Sequence, residues 1–262
     1  MAMRVQADDV KIGDVTIKVR RAGKGMPVLF LHGAGGYTQW LPFFHALTEH
    51  YEVIVPEHPG YGGSDDADLI RTIPDMAMFY LEFIETLGLD DIHLIGHSMG
   101  GWIAAEILVR DRSRVQSLTL IAPAGIRVLG VPSGDGFIWN AEESTRNLFH
   151  DQAYAEILLA LKPSEEQVDT MLKNRFTSAK LGWKPRWYNP DLEKWLHRIR
   201  IPSLVVWGDD DKVMPTAYAD LWQKRLPDVR LFIAKECGHL PHVEQDKIVT
   251  PHIQAFLKGI ER

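Results

Sequence analysis

The sequence predicts an α/β protein in which a mostly parallel central sheet is flanked by helices and a helical cap is inserted late in the chain. Short apolar runs alternate with segments whose apolar residues recur at helical spacing, which is typical of parallel strands joined by crossover helices. Residues 125–198 break this alternation, and the stretch is too long for a bare loop. We therefore expect a core built from residues 1–124 and 199–262, with residues 125–198 forming the cap.

The core elements follow from the local patterns. Residues 15–19 alternate apolar and charged side chains, which indicates a half-exposed strand. Further strands are predicted from short, largely apolar runs at 28–31, 52–55, 92–95, 115–121, 203–207 and 229–233. Helices are predicted from apolar periodicity, the second with a proline in its first turn, at 41–47, 74–87, 102–108, 218–225 and 248–257.

The inserted segment has helical patterns of its own, around 148–161 and 164–176. Ser164 is the predicted N-cap of the second helix, and Gln167 stands three residues later, where a capping box requires it. The segment is rich in aromatic residues, most of which we expect to join the cap to the core. A minority, with Trp139 among them, are expected to face a pocket that suits apolar or aromatic substrate groups.

Composition restricts the class of partner. The 262-residue chain has a formal net charge of −6 and no basic run, which argues against a nucleic-acid partner. Its single cysteine excludes an intramolecular disulfide and is compatible with a reducing compartment. We find no leader-like segment and no long uncharged apolar run, so no membrane partner is expected. These features predict a soluble, cytoplasmic monomer or homodimer that acts on a small molecule.

The run Gly96-His97-Ser98-Met99-Gly100 is the most informative motif in the chain. It lies between the predicted strand 92–95 and the predicted helix 102–108. A serine between glycines at a strand-to-helix turn is a nucleophile elbow, because the turn is so sharp that only glycines fit beside the serine. The motif predicts that Ser98 is a catalytic nucleophile.

Partners for a nucleophilic serine follow the last two predicted strands. Asp209, Asp210 and Asp211 come after the first of these strands, and Gly238-His239 comes after the second. A serine hydroxyl needs an adjacent base, and a carboxylate must hold the tautomer of that base. His239 is the predicted base, with His242 as the nearest competitor.

Together these residues resemble the α/β-hydrolase fold serine hydrolases, in which the triad follows the chain order serine, acid, histidine. The resemblance runs from about residue 15 to the C-terminus. It rests on His32-Gly33, the Pro-Gly-Tyr-Gly-Gly-Ser run at 59–64, the elbow at Ser98, Trp207-Gly208-x-x-Asp211 and Gly238-His239.

The resemblance implies a catalytic triad of Ser98, Asp211 and His239, with Asp210 as the second choice for the acid. Some members of the family carry the acid after the strand that follows the elbow helix. Here that place holds Ala122-Pro123-Ala124, which strengthens Asp211. No metal or other cofactor is expected, because the triad explains the acidic run and the histidines more fully than a metal site does.

The oxyanion hole is expected to combine the backbone amide of Met99 with that of Ala34, or of Gly35, in the small-residue loop after strand 28–31. His32 and His97 are expected to hydrogen-bond the backbone around this loop and the elbow rather than to act in catalysis.

The leading functional prediction is hydrolysis of a carboxylic ester through an acyl-enzyme. Hydrolysis of a carbon–carbon bond in a vinylogous diketone is the alternative, since the stretch around Arg175 is similar to the one that carries a substrate-binding arginine in meta-cleavage product hydrolases. Against it, His97 and Leu240 stand where those enzymes tend to have asparagine and tryptophan. A weakly catalytic small-molecule receptor of the same fold also stays open. The candidate substrate-binding residues are Gly35, Trp139, Arg175 and Leu240.

Overall fold

Eight strands form one sheet in the computed structural model, which describes residues 4–37 and 39–260. The strands are Gln6–Ile12 (β1), Val15–Gly23 (β2), Pro27–Leu31 (β3), Glu52–Pro56 (β4), Ile92–His97 (β5), Val115–Ile121 (β6), Ser203–Gly208 (β7) and Val229–Ala234 (β8). Their order across the sheet is β1-β2-β4-β3-β5-β6-β7-β8. The pairs from β4 to β8 are parallel, whereas β2 is antiparallel to both β1 and β4.

The core helices are Pro42–Leu47 (α1), Ile73–Thr86 (α2), Met99–Arg110 (α3), Ala217–Arg225 (α7), Pro241–Glu244 (α8) and Asp246–Ile260 (α9). Between β6 and β7 lie Ala141–Arg146 (α4), Gln152–Ala160 (α5), Glu165–Gly182 (α6) and a 3-10 helix at Glu193–Arg198. Within the described part of the chain, no helix has both the length and the apolar character needed to cross a membrane.

Strand side chains alternate between two apolar clusters, one on each face of the sheet. In β3, Leu29 and Leu31 join the cluster that includes α2 and α3, while Val28 and Phe30 join the cluster that includes α1 and α9. This alternation is the period-two geometry of a strand whose two faces are both covered. The α/β class predicted from the sequence is confirmed.

Every predicted strand and core helix is found, with ends shifted by a few residues, but β1 was not predicted. Its sequence, QADDVKI, lacks regular apolar alternation, and most of its side chains are exposed or half-buried. It forms because its backbone pairs with β2, with Val10 opposite Ile17 and Ile12 opposite Val15. The partner strand follows directly after the turn Gly13-Asp14, so the available signal was this two-residue glycine turn and not the composition of β1.

In the inserted segment, the predicted capping box is confirmed. The Ser164 hydroxyl accepts from the Gln167 amide, and the Gln167 side chain accepts from the Ser164 amide. Helix α6 continues to Gly182, six residues beyond the predicted end. The helix predicted at 148–161 begins only at Gln152, since Asp151 caps it.

Candidate active site

Ser98 lies at a sharp turn between β5 and α3. Its backbone has φ +52°, in the left-handed region that a residue with a side chain rarely adopts. A Cβ at Gly96 would clash with the Gly100 carbonyl oxygen, and a Cβ at Gly100 would clash with the Leu31 carbonyl oxygen. Only glycine therefore fits at either place. The strained turn holds the serine hydroxyl clear of the sheet.

The structure brings Ser98, His239 and Asp211 into a continuous hydrogen-bonded chain. His239 Nε2 lies 2.9 Å from Ser98 Oγ, and His239 Nδ1 lies 2.7 Å from Asp211 Oδ2. An ionised carboxylate only accepts, so Nδ1 carries the proton and Nε2 is left to accept from the serine hydroxyl. This is the arrangement in which histidine can remove the serine proton.

Asp211 is held by its own loop. Its Oδ1 accepts from the backbone amides of Val213 at 2.8 Å and Met214 at 2.7 Å, and its side chain is fully buried. The two preceding aspartates point elsewhere. Asp210 pairs with His150 at 2.9 Å, and Asp209 contacts Lys235 at 3.4 Å.

Two hydrogen bonds hold the peptide between Gly33 and Ala34 in the loop after β3. The Gly33 carbonyl oxygen accepts from His32 Nδ1 at 2.8 Å and from the Gly36 amide at 3.1 Å. In a trans peptide the next N–H points the opposite way, so these two bonds fix the direction of the Ala34 amide. Met99 is the first residue of α3, where an amide has no acceptor within its helix. Of the two amides predicted for an oxyanion hole, that of Ala34 thus belongs to a residue that lines a cavity, and that of Met99 lies at a helix N-terminus.

His32 and His97 hydrogen-bond the backbone, as predicted. His32 Nε2 accepts from the His58 amide at 3.1 Å, and His97 Nε2 donates to the His239 carbonyl at 3.0 Å. Burial lowers the pKa of His32 to about 4 and lowers that of His97 well below its usual value. Both rings therefore stay neutral while they support the loops.

Polar side chains of helix α6, which sequence reasoning missed, hydrogen-bond the loop after β3. Ser178 Oγ lies 2.7 Å from the Ala34 carbonyl oxygen, and Asn174 Nδ2 donates to the Gly35 carbonyl at 3.2 Å. Asn174 Oδ1 also accepts from the Gly62 amide at 2.9 Å. The available signal was a row of small polar residues on one face of α6, where a core-facing helix usually has apolar ones.

Glu244 is a second residue that sequence reasoning missed. One of its carboxylate oxygens accepts from the Gly238 amide and the other from the Asp151 amide, each at 2.6 Å. The His239 amide donates to the Leu148 carbonyl at 2.8 Å. The loop that carries His239 is therefore bonded directly to the inserted segment.

A cavity of about 470 Å³ opens above Ser98 and His239. Core residues form one side of it, and the inserted segment forms the other through Trp139, Leu148 and Leu158. Most of the lining is apolar, and no lysine, arginine, aspartate or glutamate is among the lining residues that the structure describes. Such a cavity favours an uncharged, apolar ligand.

Three of the four predicted substrate-binding residues, Gly35, Trp139 and Leu240, line this cavity. Arg175 does not. It lies on the exposed face of α6, while Asn174 and Ser178 face the core. The expectation that Arg175 reaches substrate is thus wrong for this structure. The rotation of a helix about its own axis determines whether Asn174 or its neighbour Arg175 faces the core. A loose similarity between motifs does not determine that rotation.

Within residues 4–37 and 39–260, no cluster of three or more histidine, cysteine, aspartate or glutamate side chains is arranged to hold a metal ion. Cys237 is a buried free thiol, and burial raises its pKa above the usual value, which disfavours the reactive thiolate.

Buried histidines predict the pH dependence of stability. Burial lowers the pKa of His242 to about 3, against 6.5 for an exposed histidine. Between pH 6.5 and 3 the unfolded chain therefore binds a proton at this residue that the folded chain does not. The free energy of unfolding must fall as the pH falls through this window.

Replacing His242 by phenylalanine is expected to remove that contribution. The new ring would contact Phe30 and Phe43, whose ring centroids lie 5.8 and 5.5 Å from the His242 ring. Urea unfolding at pH 7 and pH 5 measures the effect. The decrease in the free energy of unfolding from pH 7 to pH 5 should be roughly 2 kcal/mol smaller in the variant than in the wild type. Equal decreases would contradict the prediction.

Known proteins share sequence and fold with this chain. A family model described as the alpha/beta hydrolase fold matches residues 26–246. The chain is 26% identical over 269 residues to the 2-hydroxy-6-oxo-6-(2'-aminophenyl)hexa-2,4-dienoic acid hydrolase of Metapseudomonas resinovorans, covering 95% of this chain and 89% of that one. The crystal structure of a bacterial membrane phospholipase A superposes with a TM-score of 0.78 at 27% identity, covering 98% of this chain and 87% of that one.

A further relative is a longer protein. The chain is 30% identical over 260 residues to the dihydrolipoyllysine-residue acetyltransferase component of the acetoin cleaving system of Cupriavidus necator. The match covers 93% of this chain but 67% of that one. The similarity therefore concerns only part of the relative.

Proposed function

Because the chain belongs to the α/β-hydrolase family, we propose that it is a serine hydrolase that cleaves a carboxylic ester of a small apolar or aromatic substrate. The observation that carries the proposal is the hydrogen-bonded chain from Ser98 through His239 to Asp211, which opens onto an apolar cavity. Among its described lining residues, none is a lysine, arginine, aspartate or glutamate. We also propose that residues 125–198 act as the cap over that cavity.

In the proposed mechanism, His239 Nε2 takes the proton of Ser98 Oγ as the oxygen attacks the ester carbonyl carbon. The carbonyl π electrons move to oxygen, and the amides of Met99 and Ala34 stabilise the resulting oxyanion. One such donor is typically worth about 3 kcal/mol. The intermediate then collapses, the carbon–oxygen bond of the ester breaks, and His239 gives its proton to the departing alcohol.

The acyl group is then attached to Ser98, and water completes the cycle. His239 removes a proton from water as its oxygen attacks the acyl carbon, and a second oxyanion forms at the same two amides. Collapse expels Ser98 Oγ, which regains its proton from His239. In both halves Asp211 keeps Nδ1 protonated and stabilises the imidazolium without itself taking the proton.

Hydrolysis of a carbon–carbon bond is the second candidate, favoured by the similarity to the Metapseudomonas resinovorans hydrolase. Such a dienoate substrate carries a carboxylate, which an arginine usually binds through two hydrogen bonds. Arg175 lies outside the cavity, and none of the described lining residues is a lysine or arginine. Hydrolysis of a carboxylic ester is therefore the preferred function.

A substrate panel tests the proposal. p-Nitrophenyl acetate, butyrate and octanoate are compared with 2-hydroxy-6-oxo-6-phenylhexa-2,4-dienoate. We expect kcat/KM at least about 100-fold higher for the best ester, since a desolvated carboxylate without a cationic partner costs several kcal/mol. Arg175→Ala is the matched control and should leave kcat/KM unchanged for both the esters and the dienoate. Faster turnover of the dienoate would favour the carbon–carbon hydrolase, and ligand binding without turnover would favour a receptor.

A further inference from the structure

Helix α6 has its polar and apolar faces reversed. The face toward the core carries Asn174, Thr177 and Ser178, which hydrogen-bond the core loops. The face toward solvent carries an apolar stripe, here called the α6 stripe, composed of Val168, Met171, Leu172 and Phe176. Their spacing of three and four residues places them on one side of the helix.

The α6 stripe is strongly exposed. Val168, Leu172 and Phe176 are 40%, 61% and 66% accessible to solvent. Single exposed apolar residues are ordinary on protein surfaces, but a contiguous exposed row marks an interaction site. From Val168 to Phe176 the row spans about 12 Å along the helix.

Charges along α6 are segregated by sign. Exposed carboxylates occupy its first turns, at Glu165, Glu166 and Asp169. Of the exposed cations, Arg175 lies in its second half and Lys184 lies two residues beyond its end. None of these five has an ion-pair partner among the residues that the structure describes. The two lysines within α6 bond the core. Lys173 reaches carbonyls of the 62–64 loop and Lys180 pairs with Asp66.

We propose that two copies of this chain form a two-fold dimer by packing their α6 stripes against each other, with the helices antiparallel. A two-fold interface must be complementary to itself, and an apolar row meets that condition. With the axis near Leu172, Val168 of one helix lies opposite Phe176 of the other.

The charges select the antiparallel direction. In that direction the acidic end of each helix lies opposite the basic end of its mate, so both ends of the interface gain attraction. A parallel pairing would place acid against acid and base against base. A lipid surface would not favour this segregation of charges, because it presents headgroups of the same charge along the whole length of the helix.

Oligomeric state tests the proposal. Sedimentation velocity of the full chain from 1 to 100 µM should show a dimer. Leu172→Glu, which places two carboxylates at the two-fold axis, should raise the dimer dissociation constant at least 100-fold. Leu129→Glu is the matched control, since Leu129 is 88% exposed, outside α6, and its substitution should leave the dimer intact. Circular dichroism of each variant verifies folding, and Met171→Glu serves as a second variant of the stripe.

Charge reversal tests the direction. Arg175→Glu combined with Lys184→Glu should raise the dissociation constant about tenfold at 50 mM salt. Adding Glu165→Lys and Glu166→Lys should restore it. A wild-type chain that stays monomeric at 100 µM would overturn the dimer, and stripe-dependent binding of that monomer to phosphatidylcholine vesicles would identify a lipid surface instead. A dimer that survives Leu172→Glu would place the interface elsewhere and overturn the proposal as well.

Discussion

Replacing Ser98 by alanine is expected to reduce kcat for the best p-nitrophenyl ester by about 10⁶-fold, the loss typical when a triad nucleophile is removed. The substitution deletes the only atom that would form the acyl-enzyme. Alanine and serine are similarly strained at φ +52°, so the free energy of unfolding should change by less than about 1 kcal/mol.

Stopped-flow or endpoint release of p-nitrophenolate measures the rate, and urea unfolding measures the fold. Burst-phase acylation, visible in the wild type if deacylation is slower, should be absent from the variant. Residual activity above about a thousandth of the wild-type rate, in a preparation free of wild-type enzyme, would show that Ser98 is not the nucleophile.

Asp211→Asn is expected to reduce kcat by about 10⁴-fold, on the precedent of the buried aspartate in serine proteases. The amides of Val213 and Met214 both donate to Oδ1, so an asparagine would place its carbonyl oxygen there. Its NH₂ group would then point at His239 Nδ1 and force that nitrogen to accept. The proton would move to Nε2, which faces Ser98 Oγ and could no longer take its proton.

Asp210→Asn is the matched control for this change. Asp210 is the neighbouring residue, undergoes the same substitution, and pairs with His150 and Lys212 at the surface. Its kcat should stay within about threefold of the wild type, because exposed ion pairs contribute little. The acid would be reassigned if Asp210→Asn proved the damaging change and Asp211→Asn the mild one.

The elbow could be predicted from sequence because its causes are local. The glycines that surround Ser98 are required by backbone atoms of the same turn and of the adjacent β3 strand. A strand-like run before the turn and a helical pattern after it supply the context. The Ser164 capping box was predictable for the same reason, since its two partners are three residues apart.

Residues that act across the fold could not be predicted in this way. Glu244 bonds Gly238 and Asp151, and the second of these is 93 residues away in sequence. Asn174 and Ser178 reach loops that lie more than a hundred residues earlier. Their side-chain types alone are equally compatible with an exposed helix face.

Sequence alone specified the strand–turn–helix at Ser98 and the alternation that builds the sheet, because hydrophobic periodicity and turn chemistry act over a few residues. Tertiary packing decided the rest. It determined that the α6 helix turns Asn174 inward and Arg175 outward, and that polar β1 forms an edge strand. Asn174 turns inward because its side chain bonds the Gly35 carbonyl and the Gly62 amide, which lie more than a hundred residues earlier, and buried polar groups without such partners are too costly to tolerate. β1 forms because its backbone pairs with β2 across a two-residue turn, although its own side chains are mostly polar.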